Sequence, residues 1–149
     1  MTTGEGTIKA ISISKERGTR KVNVDEAELL ADFGIIGDAH AGNGNRQISL
    51  LTIESIDKMV MMGARVSPGD FAENVTTEGI DLLKLSIGCR LRLGEHVELE
   101  IVQLGKRCHR HCEIFKQLGD CIMPQEGIFA KVTKPGRISV GDIIEVTDK

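Results

Sequence analysis

Along much of this chain, apolar and polar residues alternate one for one, the period of a strand with one buried face. Val97, Leu99 and Ile101 fall on one side and Glu98 and Glu100 on the other. Leu91 and Leu93 alternate with Arg90 and Arg92, and Ile11 and Ile13 with Ser12 and Ser14. These patterns predict strands over Thr7–Ser14, Cys89–Leu93 and Val97–Ile101. The last two are joined by Gly94-Glu95-His96, a connection that suits a hairpin. Apolar runs predict further strands at Arg46–Thr52, Ile128–Thr133 and Ile143–Thr147, with turn chemistry at Lys134-Pro135-Gly136 and Val140-Gly141-Asp142. Two stretches have helical spacing instead. Ile53–Met62 places Ile53, Ile56 and Val60 on one stripe, with Thr52 as N-cap and Gly63 as stop. His109–Leu118 does the same with Ile114, Phe115 and Leu118, ending at Gly119. A third stretch, Asp25–Phe33, suits either a helix or a strand–loop passage. Short strands, frequent glycine turns and two or three short helices predict a mainly β fold, a barrel or sandwich with helical excursions.

Composition narrows the function classes. At 149 residues the chain is long enough to bury a core as a single domain, 1–149, with the core over about 7–147. It has four Phe and neither Trp nor Tyr, so the core must rest on Ile, Leu, Val and Met. The same scarcity removes the stacking platforms of single-stranded nucleic-acid binding, and a net charge of −3 offers no general phosphate-tracking surface. No nucleic-acid partner is expected. No apolar run approaches the roughly 18–20 residues that span a bilayer, and Met1–Gly6 lacks the parts of a signal peptide. A cytoplasmic location without membrane association is the expectation. Reducing conditions there make Cys89, Cys108, Cys112 and Cys121 better read as metal-binding, catalytic or buried thiols than as a disulfide framework.

Chemistry concentrates in Gly105–Cys112, which reads Gly-Lys-Arg-Cys-His-Arg-His-Cys. Cys108 would open the predicted helix, where the macrodipole favours an anion, and Lys106, Arg107 and Arg110 add fixed positive charge. Both effects favour a thiolate, the nucleophilic and metal-ligating form of cysteine. Cys112, four residues on, shares a helical face with Cys108 as a resolving partner, a second ligand or core. The same residues also permit a metal site built on Cys108, His109, His111, Cys112 and Cys121, although the spacing is not that of the usual zinc knuckles. Elsewhere, the segment Gly34–Arg46 has four glycines with Asp38, His40 and Arg46, and no Walker ending. Its glycines can bring backbone N–H groups close to a ligand, and Asp38 is placed either to orient His40 or to form a turn. Glu73-Asn74 sets an acceptor and an amide just before a short strand, which a polar strand end explains equally well.

These segments together resemble the MOSC family, named for the C-terminal domain of molybdenum cofactor sulfurases. The resemblance runs in order through Gly37-Asp38-Ala39-His40-Ala41-Gly42, Arg46-Gln47-Ile48-Ser49 and Glu73-Asn74-Val75-Thr76-Thr77-Glu78-Gly79. It continues through Ile87–Gly94, Arg107-Cys108 and Gly136–Asp142, covering roughly residues 7–147. It implies a MOSC-type β-barrel whose cleft receives the anionic molybdenum cofactor, a molybdopterin. It implies that Cys108 carries sulfane sulfur as a persulfide or ligates molybdenum or tungsten. Lys106, Arg107, Arg110, Asp38, His40, Arg46, Glu73 and Asn74 become candidate cofactor contacts. No pyridoxal-phosphate domain accompanies the sequence, so sulfur would come from a separate cysteine desulfurase or other donor and pass to molybdenum-cofactor enzymes or biosynthesis proteins. The expected activity is sulfurtransferase-like. The alternatives are a non-catalytic cofactor-binding module, a variant that uses bound cofactor to reduce N-hydroxylated compounds, and a structural or redox metal protein.

Overall fold

The computed structural model describes residues 4–15, 21–39, 41, 42, 44, 46–104 and 127–148. The helix expected over His109–Leu118 lies outside them. The chain runs through strands β1 (Glu5–Ile13), β2 (Val22–Val24), β3 (Glu26–Leu30), β4 (Gly34–Ile35) and β5 (Ile48–Thr52), then helix α1 (Ile53–Met61). It continues through β6 (Val75–Glu78), a 3₁₀ turn (Leu82–Lys84), β7 (Arg90–Leu93), β8 (Val97–Leu104), β9 (Ile128–Lys134), β10 (Gly136–Ser139) and β11 (Ile143–Asp148). Seven strands in the order β11-β7-β8-β9-β5-β6-β1 close on themselves through a β1–β11 pairing, so the fold is a barrel. β2 is a spur on the far half of β1, and β10, β3 and β4 form a separate small sheet.

Alternation explains the wall. Leu91, Leu93, Val97, Leu99 and Ile101 are fully buried in the barrel core. Arg90 lies opposite Glu100 and Arg92 opposite Glu98, and Glu145 joins Arg92 in an exposed ion pair. Such exposed pairs contribute little each, so burial of the inward face carries the hairpin. Leu29, Ile35 and Ile138 bring the small sheet into the same core.

β5 is buried along its whole length. Ile48 and Leu50 face the barrel interior, while Leu51 turns outward into a second cluster with Ile56, Met59, Ala64, Phe71 and Phe129. α1 therefore covers the outer face of β5, which runs parallel to β6 and antiparallel to β9. Its start is capped as the sequence predicts: Thr52 Oγ1 accepts the Ser55 N–H at 3.1 Å. Among the described residues α1 is the one α-helix, and no helix there is long and apolar enough to cross a membrane. Asp25–Phe33 resolves as strand β3 with a following turn, because Leu29 pairs with both Gly136 and Ile35. Strand β10 occupies the stretch between the two expected turns at 134–136 and 140–142.

The barrel seam depends on a glycine. Gly6 pairs with Ile144, and a Cβ there would lie 2.4 Å from the carbonyl oxygen of Glu78 on the neighbouring β6. Gly6→Ala is expected to lower stability by about 1–3 kcal/mol, the usual cost of overpacking. Urea denaturation measures it, and an unchanged midpoint would show that the seam has slack.

Candidate functional site

The glycine-rich segment enters after β4, and a buried carboxylate fixes it at once. Asp38 Oδ1 accepts the Ser14 backbone N–H at 3.0 Å and the Lys21 ammonium at 2.8 Å, while Oδ2 accepts Asn74 Nδ2 at 3.1 Å. Ser14 follows β1, Lys21 precedes β2 and Asn74 precedes β6, so one side chain ties three parts of the barrel to the segment. The backbone adds a further tie, from Ala39 N–H to Ser14 O at 2.7 Å. At the other end Gln47 is the staple. Its Nε2 donates to Gly44 O at 3.0 Å, and its Oε1 accepts the Val132 N–H at 2.9 Å on β9.

Asn74 is as fully engaged as Asp38. Its Nδ2 also donates to Ser12 O at 3.1 Å, and its Oδ1 accepts the Ser49 N–H at 3.0 Å. Ser49 Oγ lies 3.2 Å from both Asn74 Oδ1 and Ala72 O, and its single proton serves one of them. Glu73, next to Asn74, has no exposure. Its carboxylate accepts Gly69 N–H at 2.9 Å, Thr76 Oγ1–H at 2.9 Å and Phe71 N–H at 3.2 Å, folding residues 69–76 around it. Ala72, just before it, has φ 66, a left-handed conformation that costs a non-glycine residue about 1–2 kcal/mol. The strain sits where the loop must deliver two buried polar side chains in succession.

The two acids are shifted in opposite directions. Burial works against ionisation of Asp38, but the Lys21 hydrogen bond, the Ser14 N–H, the Lys21 charge and the Asn74 amide together hold its carboxyl below the ordinary aspartate value. Burial dominates at Glu73 and pushes its carboxyl up, against the Gly69, Glu73 and Phe71 N–H groups and the Thr76 hydroxyl. Above this layer Gly37, Gly42 and Gly44 are exposed at φ 91, 77 and 60. Arg46 is exposed too, its guanidinium 6.0 Å from the Phe129 ring centroid, and it has no carboxylate partner among the described residues.

Of the residues singled out in the sequence, Asp38 and Asn74 touch, Glu73 adjoins them, and Arg46 stands at the end of the glycine segment. His40, Lys106, Arg107, Cys108, His109, Arg110, His111, Cys112 and Cys121 lie outside the described residues. Cys89 is a buried thiol in the barrel core. Among the described residues no cluster of His, Cys, Asp and Glu could hold a metal ion.

Sequence reasoning missed Lys21, Gln47, Ser12, Ser14 and Ser49. Ser12 in β1 and Ser14 just after it alternate with isoleucines, which reads as a solvent face, yet both are buried. Lys21 stands in a stretch rich in lysine and arginine and gave no signal of its own.

The profile of the MOSC domain family matches residues 37–145. This chain belongs to the MOSC domain family. The family is associated with molybdenum-cofactor proteins. Its barrel resembles that of the YUAD protein from Bacillus subtilis, at 22% identity with a TM-score of 0.81 over 97% of each chain. YiiM from Geobacillus stearothermophilus is similar at 17% identity and a TM-score of 0.73, over 96% of this chain and 75% of that one. YiiM from Escherichia coli aligns over 96% of this chain and 70% of that one, at 20% identity and a TM-score of 0.68. At these identities the structures establish the shared fold. No curated protein matches the chain. Within the MOSC match lie Asp38, Gln47, Glu73 and Asn74; Ser12, Ser14 and Lys21, which complete the network, precede it.

The acids give opposite pH signatures. A depressed Asp38 stabilises the fold above the ordinary aspartate value of 3.8, and that contribution is lost as pH falls through the still lower folded value. A raised Glu73 acts in reverse: its contribution is complete below 4.5 and is lost as pH climbs from there through the folded value. Glu73→Gln should therefore flatten the stability profile just above pH 4.5, and Asp38→Asn should flatten it below 3.8. Denaturation midpoints across pH 2–7, as an approximate working range, measure both. Parallel profiles for wild type and variant would contradict the assignment.

Proposed function

We propose that this MOSC domain binds molybdenum cofactor on the Gly37–Arg46 segment and that Cys108 is its sulfur-carrying thiol. The observation that carries the reading is the charge arrangement under that segment. The Asp38 charge is cancelled by Lys21, Glu73 is biased toward its neutral acid, and the stacked Arg46 guanidinium has no acidic partner among the described residues. An anion approaching the exposed glycines meets the Arg46 cation, while the Asp38 and Glu73 carboxyls are buried and hydrogen-bonded within the protein. An anionic pterin phosphate fits such a donor set, because guanidinium and backbone N–H groups are the usual phosphate ligands.

Arg46 would hold the anion, with Lys106, Arg107 and Arg110 as further cations. Asp38 and Asn74 would set the shape of the segment, since every polar atom of both side chains is already engaged. The bound cofactor supplies the sulfur acceptor. Loading of Cys108 is a thiolate attack on the terminal sulfur of a donor persulfide. A new S–S bond forms on Cys108, the donor's S–S bond breaks, and the donor thiolate leaves with the electron pair. A cysteine desulfurase is the class of donor this requires.

Isolated molybdopterin, titrated anaerobically and followed by pterin fluorescence, is expected to bind saturably. Arg46→Ala should weaken it about tenfold, the worth of one hydrogen bond to a charged group. Absence of saturable binding overturns the reading. With an active desulfurase and cysteine, peptide mass spectrometry should find one added sulfur atom on Cys108 and none in Cys108→Ser. Cofactor binding with an unmodified Cys108 would instead identify a binding module without sulfur transfer.

A further inference from the structure

We propose that Lys21 is a positioning residue for the ligand-binding segment, holding the Asp38 turn in the shape that presents its backbone to an anion. The function it serves rests on the reading above; the positioning itself does not. Lys21 precedes the residues matched by the MOSC profile, and its side chain is 1% exposed against a fully buried Asp38. Nζ donates to Asp38 Oδ1 at 2.8 Å and to Ser14 Oγ at 3.4 Å. Ser14 in turn donates its N–H to the same Oδ1 and accepts the Ala39 N–H. Lys21, Ser14, Asp38 and Ala39 thus form a closed ring of bonds between the end of β1 and the start of the glycine segment.

Stability alone does not account for a buried ion pair, because desolvation of both charges opposes their attraction and apolar replacements often serve as well. Geometry does account for it. The segment contains glycines at positive φ, which have the most conformational freedom to lose on binding. Fixing the turn beforehand removes that cost from the binding step. Asp38 must accept on both oxygens to do so, from Ser14 and Lys21 on one and Asn74 on the other. Lys21 allows a carboxylate, with its two acceptors, to be buried there.

Three variants separate position from charge. Lys21→Arg keeps the cation and should keep molybdopterin affinity within about twofold. Lys21→Met strands the carboxylate; hydrogen exchange should show the Ser14 and Ala39 amides losing protection while those of the β7–β8 hairpin keep theirs. Molybdopterin affinity should fall about tenfold. In Lys21→Met/Asp38→Asn no charge is stranded, so thermal stability returns toward wild type. An amide has one acceptor oxygen, however, so either Ser14 N–H or Asn74 Nδ2 loses its partner. Protection and affinity should therefore stay low. Full recovery of both in the double variant overturns positioning and leaves Lys21 as a charge neutraliser only. Retained Ser14 and Ala39 protection in Lys21→Met also overturns it. If Lys21→Met does not fold, the double variant carries the comparison. If wild-type protein does not bind molybdopterin, the functional reading fails while hydrogen exchange still decides the role of Lys21.

Discussion

Everything in this fold depends on β1 serving three neighbours in turn. Its first residues pair with β11 and close the barrel, its middle pairs with β6, and its last three pair with β2. A strand that closes a barrel leaves no free edge there, which removes the template for unwanted pairing. It also carries the end of β1 past the N-termini of β5 and β6, where barrel hydrogen bonding stops. Backbone and side-chain polar groups at that rim still need partners, because a buried unpaired donor or acceptor is costly. Ser12, Ser14, Ser49, Asn74 and Asp38 are the solution, and the same residues define one wall of the candidate site.

The network also bears on how acidic side chains can accompany a surface proposed to receive an anion. Asp38 lies in the glycine segment and Glu73 adjoins its partner Asn74, and the two carboxyls are shifted in opposite directions. Asp38 stays ionised because a buried ammonium and two neutral donors outweigh its desolvation. Glu73 meets only N–H groups and a hydroxyl, and with no cation bonded to it burial prevails. Both depth and partner charge set the contrast, since Glu73 lies deeper than Asp38 and has no bonded cation.

Where a strand alternates buried apolar with more exposed charged residues, as β7 and β8 do, its period was legible in the sequence. The β7–β8 hairpin, α1 with its Thr52 cap, and the strand after Glu73-Asn74 all follow from local pattern. β3 stayed ambiguous because its pairing with β10 and β4 is decided by residues far along the chain, and β2 and β4 are too short to show a period. The site was half legible. Asp38, Arg46, Glu73 and Asn74 carry chemistry visible in their residue types, but their roles come from contacts across long separations. Lys21 reaches Asp38 17 residues on, and Asn74 reaches it across 36. No local signal marks a lysine that will be buried, since lysine is ordinarily exposed.

Leu104 and Ile128 are register partners on β8 and β9, and Ile128 pairs in turn with Leu50. Among the described residues the β8–β9 ladder therefore runs on to Leu104 and Ile128, the rung that segment 105–126 joins. Chain inserted at a single rung adds loop-closure entropy that grows only logarithmically with length. Because the register at Leu104 and Ile128 is set by their neighbours on β8, β9 and β5, the length of chain joining the two strands carries only this small entropic cost for the ladder.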